Sequence, residues 1–345
     1  MIGYYVHHHG RGHATRAACI AAALAADGVV VTGLGSGPVP DGWAGPWVSL
    51  ARDDDDDGGA VAVGGARDET AGGALHWAPP GHRGLRERAA RLLAWAAAEE
   101  PAALVVDVSV EVAVLARAAG VPVVVVAMPG DRRDAPHALA YRLADAVIAP
   151  WPAWASPMEA TAEVRAVGAI SRFDGLDRGA TRGGGDGLRE VVVLSGAGGS
   201  ALTSAQVDAA RDATPGWAWT VLGPAPGRWE PDPWPLLCRA DVVVTHAGQN
   251  AIAEVAAARA PAVVVPQERP FGEQVHLARV LAAAGLAGVE HRWPVASRWP
   301  DVLRSAVARG GDGWSAWAPG DGAAQAAGLL SGLMGRGDPV PCAPR

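Results

Sequence analysis

The chain has 345 residues with 29 basic and 36 acidic side chains, a formal net charge of −7, and every basic residue is Arg. The lack of Lys excludes Schiff-base lysine chemistry and a Walker-type phosphate-loop lysine. A net acidic chain without a basic run argues against nucleic acid as a partner.

The length suits two domains of roughly 100–200 residues each. Cys19, Cys238 and Cys342 are too few and too scattered for a disulfide framework or a zinc ribbon, which fits a reducing cytosol. No basic n-region opens the chain, so no signal peptide is expected. No apolar run reaches the ~18 residues of a membrane span, which leaves peripheral membrane contact open.

Short, continuously apolar runs alternate with Ala-rich stretches. The first block predicts strands over 2–6, 29–32, 104–106, 121–127 and 147–149, with helices over 14–26 and 110–119. Continuous rather than alternating apolar runs indicate parallel strands buried on both faces. The polar, Gly-rich stretch 171–187 is read as a linker. The pattern then restarts with strands over 191–194, 217–222, 242–245 and 262–265, and helices over 203–212, 249–258, 271–284 and 299–308. Strands alternating with helices predict an α/β fold. The expected domains are 1–170 and 188–315. A terminal segment, 316–334, holds a helix near 322–333, and 335–345 is a loose tail. The acidic run 53–57 is read as a solvated, mobile loop rather than a metal site. In His7-His8-His9, strand alternation would send neighbours to opposite faces, so a shared metal ion is not expected.

The most informative stretch runs from Thr245 to Glu254. A strand ends, small residues follow, and a helix begins near Gly248. Such a start offers unpaired N–H groups and a positive dipole end to a phosphate. Glu254, about one and a half turns on, suits a ribose diol. The competing reading is an ordinary strand–turn–helix with Asn250 as the cap.

These residues, with Pro266-Gln267-Glu268-Arg269-Pro270-Phe271-Gly272-Glu273-Gln274, resemble the donor-site signature of GT-B glycosyltransferases. The resemblance is closest to family 28, which includes the bacterial peptidoglycan N-acetylglucosaminyltransferase, and extends to UDP-glucuronosyltransferases. It implies two Rossmann-like domains with parallel sheets facing across a cleft, the terminal helix packing back on the first. It also implies that His246, Gly248, Gln249 and Asn250 hold a diphosphate, that Glu254 takes the ribose, and that Glu273 and Gln274 read sugar hydroxyls. Ala247 departs from the family's usual Gly. Three further segments agree. His9-Gly10-Arg11-Gly12-His13 resembles the family's opening glycine turn. Leu194 to Ser200, with Gly198, Gly199 and Ser200, resembles the donor-domain glycine loop. Trp229 to Leu237 loosely resembles a base-stacking segment, with Trp229 and Trp234 as candidates.

A dinucleotide fingerprint at Gly196-x-Gly198-x-x-Ala201 lacks the acid expected at the end of the next strand. His13 follows the first strand, at the sheet mouth where ligands of such folds bind. There an imidazole can serve as a general base or contact phosphate. Asp107 ends a neighbouring strand and can hold the second ring nitrogen; alternatively Asp107 and Glu111 cap the helix that follows. Gly10, Arg11, Gly12, Glu111 and Asp131 are expected on the acceptor side. The resemblance implies inverting transfer of a sugar from a nucleoside diphosphate sugar, most readily a UDP-sugar, to a hydroxyl or amine on a small-molecule or lipid-linked acceptor. No metal and no cofactor beyond that co-substrate are expected. A nucleotide-sugar 2-epimerase and a non-catalytic nucleotide-sugar-binding protein are the alternatives.

Overall fold

The computed structural model describes residues 1–8, 10–54, 68–155, 163–179, 187–196, 202–224 and 226–335. The first half contains β1 (Ile2–Val6), α1 (Arg11–Ala26), β2 (Val31–Gly35), β3 (Trp47–Ser49), α2 (Arg83–Glu99), β4 (Leu104–Asp107), α3 (Val110–Ala118), β5 (Val123–Val126), α4 (Ala135–Leu143), β6 (Ala146–Ala149) and β7 (Glu163–Ala166). The second contains β8 (Arg189–Leu194), α5 (Ser204–Asp212), β9 (Trp217–Leu222), α6 (Trp234–Arg239), β10 (Val242–Thr245), α7 (Gln249–Ala257), β11 (Ala262–Val264), α8 (Glu273–Ala283), β12 (Gly288–Val289), α9 (Trp299–Arg309) and α10 (Gly322–Gly335).

Two parallel sheets result. One has the order β3-β2-β1-β4-β5-β6-β7 and the other β12-β11-β10-β8-β9. Their central strands, VVVV in β5 and VVVT in β10, are buried along their whole length. This is the two-faced burial that continuous apolar runs require. In each sheet the strand order reverses once, between β1 and β4 and between β8 and β10. At such switch points the loops leaving the carboxyl ends diverge and open a crevice. Val6 pairs with Asp107, and Thr245 with Leu194, at those ends.

Helix α1 buries Ala17, Ile20 and Leu24 in one apolar cluster with Ile2 and Tyr4 of β1 and with Ala326, Ala327 and Leu330 of α10. Helix α10 therefore lies on α1. Behind the second sheet, Trp299 meets Trp219 edge-on at 5.0 Å and Trp293 at 4.7 Å. Among the described residues no helix is long and apolar enough to cross a membrane.

Three local expectations are corrected. Helix α1 begins at Arg11, not near residue 14. His7 and His8 lie beyond the end of β1, so pleat alternation no longer separates them, and their rings stack at 4.9 Å. In the acidic run, Asp53 pairs with Arg88 at 2.6 Å and Asp54 with Arg52 at 2.7 Å, so these two are not free solvated charges. His9, 55–57, the tail from 336 and the linker part 180–186 lie outside the described residues.

Candidate functional site

A cavity of about 840 Å³ opens between the carboxyl ends of the two sheets. One wall is the start of α1. Gly10 has φ +80, a left-handed conformation that suits glycine, and the helix begins directly after it. The early start puts His13 within the first turn and Arg16 three residues later, on the same helix face. Asp107, the last residue of β4, lies opposite them and is fully buried. The chain turns away immediately after it through Val108, whose φ of +56 is strained for a β-branched residue. Ser109 then caps α3, accepting from Val112 N at 3.2 Å.

His13 Nδ1 lies 2.8 Å from Asp107 Oδ1. An ionised carboxylate only accepts, so Nδ1 carries the proton and Nε2 keeps its lone pair. Asp107 also accepts from Tyr4 OH at 3.2 Å, Arg16 Nε at 2.9 Å and Arg16 Nη2 at 2.6 Å. Burial alone would raise the Asp107 carboxyl; the Arg16 guanidinium and His13 outweigh it and hold it well below the usual carboxylate range. The arrangement is a fixed-tautomer imidazole backed by a permanently ionised carboxylate, able to accept a proton through Nε2.

The other wall is the start of α7. Gly248 is its N-cap and has no side chain with which to cap the helix. Its first N–H groups are therefore placed for an anion. Asn250 is not the cap: its Nδ2 donates to Gly12 O at 3.0 Å, across the cleft. Gln249 Oε1 accepts from Arg16 Nη1 at 3.0 Å. His246 Nδ1 donates to Val265 O at 2.9 Å, so Nε2 can donate only when the ring is an imidazolium. Burial lowers the His246 pKa, against the pull of its bond to Val265 and with the push of Arg269.

Glu254 lines the cavity and pairs with Arg172 Nε at 2.9 Å. Burial raises its carboxyl against that partner's pull. Glu273 pairs with Arg132 at 3.2 Å, and Gln274 Oε1 accepts from Gln267 N at 2.9 Å. Trp229 is exposed in the cleft with the Arg11 guanidinium 4.9 Å from its ring. Trp234 instead packs on Phe173 and donates to Asp177 O.

Not every candidate gathers there. Glu111 accepts from His76 N at 2.8 Å and Trp77 N at 3.0 Å, tying down that loop. Asp131 pairs with Arg133 at 2.7 Å. Neither lines the cavity. Gly198, Gly199 and Ser200 lie outside the described residues; Ser195 and Gly196, just before them, line the cleft. Arg16, Tyr4 and Arg172 were not read from the sequence as site residues. The spacing of His13 and Arg16 was the available signal, but it counts only once the helix is known to start at Arg11.

Two groups among the described residues bring His and Asp together at metal-ligand separations, His76–Asp134–His137 and His8–Asp53–Asp54. In the first, each imidazole N–H donates to one Asp134 oxygen, and Arg132 Nη1 lies 3.3 Å from His137 Nε2. In the second, Arg88 and Arg52 already balance the carboxylates. Hydrogen bonds and ion pairs join the members of both groups.

Residues 234–297 match the glycosyltransferase family 28 C-terminal domain. No curated protein matches the chain by sequence. Solved structures match it by fold. MurG of Acinetobacter baumannii aligns at a TM-score of 0.60 and 15% identity, covering 97% of this chain and 99% of that one. The glycosyltransferase SnogD from Streptomyces nogalater aligns at 0.66 and 17%, covering 96% and 99%. The spinosyn rhamnosyltransferase SpnG, complexed with thymidine diphosphate, aligns at 0.61 and 18%, covering 97% and 96%. The fold is GT-B, with its two parallel sheets facing one cleft.

Proposed function

We propose that the protein is an inverting glycosyltransferase that moves a sugar from a nucleoside diphosphate sugar to a hydroxyl or amine of a small-molecule or lipid-linked acceptor. The observation that carries this reading is the His13–Asp107 pair facing the uncapped start of α7 across one cavity. His13 Nε2 takes the acceptor proton, and Asp107 stabilises the imidazolium. The acceptor attacks the anomeric carbon opposite the diphosphate, so the configuration inverts. Charge developing on the departing diphosphate meets the α7 N–H groups and a protonated His246, a form of stabilisation that needs no metal.

Glu254 accepts from the ribose, Glu273 and Gln274 from and to the sugar hydroxyls, and Trp229 stacks on the base. Gly198, Gly199 and Ser200 complete the donor loop, and Gly10, Arg11 and Gly12 border the acceptor. Uridine and thymidine diphosphate sugars are the first donors to test; the likeness to the thymidine diphosphate complex supports the second. The few and scattered cysteines support a reducing, cytosolic setting.

A panel of UDP-, TDP-, GDP- and ADP-sugars, read by thermal stabilisation, tests the donor assignment. A ligand at 100 times its dissociation constant adds ~2.7 kcal/mol. Stabilising donors are then incubated with and without acceptors. Sugar transfer supports the reading. Free nucleotide with epimerised sugar in the absence of acceptor marks a 2-epimerase, and tight binding without any turnover marks a binding protein.

A further inference from the structure

Both walls of the cleft converge on Arg16. Its side chain is 3% exposed, and its guanidinium is engaged on two edges. One edge grips the carboxylate, Nε to Asp107 Oδ2 at 2.9 Å and Nη2 to Oδ1 at 2.6 Å. From the other, Nη1 donates to Gln249 Oε1 at 3.0 Å, on the first residue of α7. Nη2 also lies 3.1 Å from His13 Nδ1. Both of those nitrogens carry hydrogen, so the approach is two N–H groups aimed at one oxygen, Asp107 Oδ1.

Two consequences follow from this geometry. With both oxygens held by a planar fork, Asp107 cannot turn away from His13, and the imidazole keeps one tautomer. With its oxygen occupied by Arg16, the Gln249 amide has only its NH₂ end to offer a phosphate. Charge adds a third link. The polar groups facing His13 are Asp107 from β4, Arg16 from α1 and the His7 ring at 5.8 Å, with Tyr4 behind Asp107 and Gln249 from α7. Among the described residues, Asp107 is the carboxylate bonded to this group. An imidazolium at His13 therefore puts two cations against one anion, and a diphosphate at the start of α7 supplies the missing negative charge.

We propose that Arg16 is a positioning residue that assembles the His13 base and the donor-side helix as one unit, holding Asp107 with one edge of its guanidinium and Gln249 with the other. The inference rests on the transferase reading for its purpose. The contacts it names exist in the free protein, so it can be tested apart from that reading. Arg16 touches no reacting atom in this scheme; it makes the base fully effective only when the donor diphosphate is in place.

Histidine-selective ¹⁵N NMR reads the His13 tautomer without turnover. In the parent, His13 should hold the Nδ1–H tautomer, and thymidine or uridine diphosphate should change the ¹⁵N shift of Nδ1. Arg16→Met should mix the tautomers and abolish the nucleotide response. Its kcat at saturating donor should fall roughly 10- to 100-fold, the scale of a misplaced catalytic group, with a much smaller change in donor KM. Arg16→Lys keeps the charge but not the fork and should lie between. If Arg16→Met does not fold, Gln249→Ala at saturating nucleotide decides, because it leaves the Asp107 contacts intact and should still erase the nucleotide response. Folded Arg16 and Gln249 variants with the parental tautomer and the parental nucleotide response would overturn the proposal. If neither nucleotide binds the parent, the transferase reading fails, and the ligand-free tautomer still decides the role of Arg16.

Discussion

The Asn250 amide donates to the Gly12 carbonyl at 3.0 Å, joining the first turn of α7 to the first turn of α1 across the cleft. Two helix N-termini are thereby brought face to face. Each is the positive end of a helix dipole, so the space between them favours an anion more than either end alone.

The glycines at this junction should respond differently to substitution. A Cβ on Gly12 meets the Asn250 side chain at 3.5 Å, an ordinary contact, so Gly12→Ala should melt close to the parent. Gly10 has open space around it but φ +80. Gly10→Ala should therefore cost about 1–2 kcal/mol in backbone strain and shift the start of α1. Thermal melts of the two variants check the difference; equal loss from both would show that space, not backbone conformation, governs the turn.

His13→Ala should lower turnover by roughly 10²–10⁴, the usual worth of a general base. Donor affinity should change little, because the proposed donor contacts lie on the opposite wall. Asp107→Asn should also slow turnover, since an amide does not stabilise the imidazolium as a carboxylate does. Steady-state kinetics at saturating donor test both. If His13→Ala raised the donor dissociation constant and left turnover near parental, His13 would be a phosphate contact and not the base.

Removing the Glu254 carboxylate should weaken donor binding without collapsing the fold. Its partner Arg172 is 40% exposed and can return to water, so no buried charge is stranded. Hydrogen bonds to a charged acceptor contribute ~1.5–3 kcal/mol each, which bounds the loss for Glu254→Ala. Calorimetry with the donor nucleotide measures it. Parental affinity would remove Glu254 from the ribose assignment.

Nucleotide binding should strengthen as pH falls toward the His246 titration. In the free protein burial holds that pKa below 6.5, so the ring is neutral at pH 7 and its one proton is committed to Val265. A diphosphate favours the imidazolium, whose Nε2–H can donate, so binding takes up a proton. Affinity then rises by up to about tenfold per pH unit between the bound and free pKa values and levels off below the free one. Isothermal titration across that window, in buffers of different ionisation heat, counts the proton. His246→Gln should flatten the dependence; an unchanged slope would place the proton elsewhere.

Mild acid should destabilise the protein before its carboxylates titrate. Burial lowers the His137 pKa, assisted by Arg132 and His76 and opposed by Asp134. The unfolded chain therefore binds a proton near pH 6.5 that the folded ring refuses. Stability from this site is present above pH 6.5 and is lost as pH falls through the lower folded value. Asp107 acts in a more acidic window: its stabilisation is present above an ordinary carboxylate pKa and disappears as pH falls through its depressed one. Urea titrations from pH 7 to 5 should show the first loss, and His137→Gln should remove it. A stability that stays flat over that range would contradict this assignment.

Much of the fold was legible in the sequence because it depends on local pattern. Continuous Val runs specify strands buried on both faces, wherever the chain later places them. The turn from Thr245 to Glu254 is likewise local, a strand end, small residues and a helix start. Elements without that pattern were missed: β7 is a half-exposed edge, EVRA, and α2 is Arg-rich with a weak apolar stripe. The site was legible only as far as single residues at strand ends. His13 and Asp107 could each be placed at a crevice, but their 2.8 Å separation depends on β1 and β4 being neighbours. Arg16 reads in sequence as one Arg among 29. The approach of the two sheets buries it between Asp107 and Gln249, contacts 91 and 233 residues away in the chain. The same approach turns Asn250 from a helix cap into a tie to Gly12. Backbone periodicity is encoded within a few residues. A buried polar group takes whichever partner the assembled domains bring within about 3 Å, and only the tertiary structure decides which partner that is.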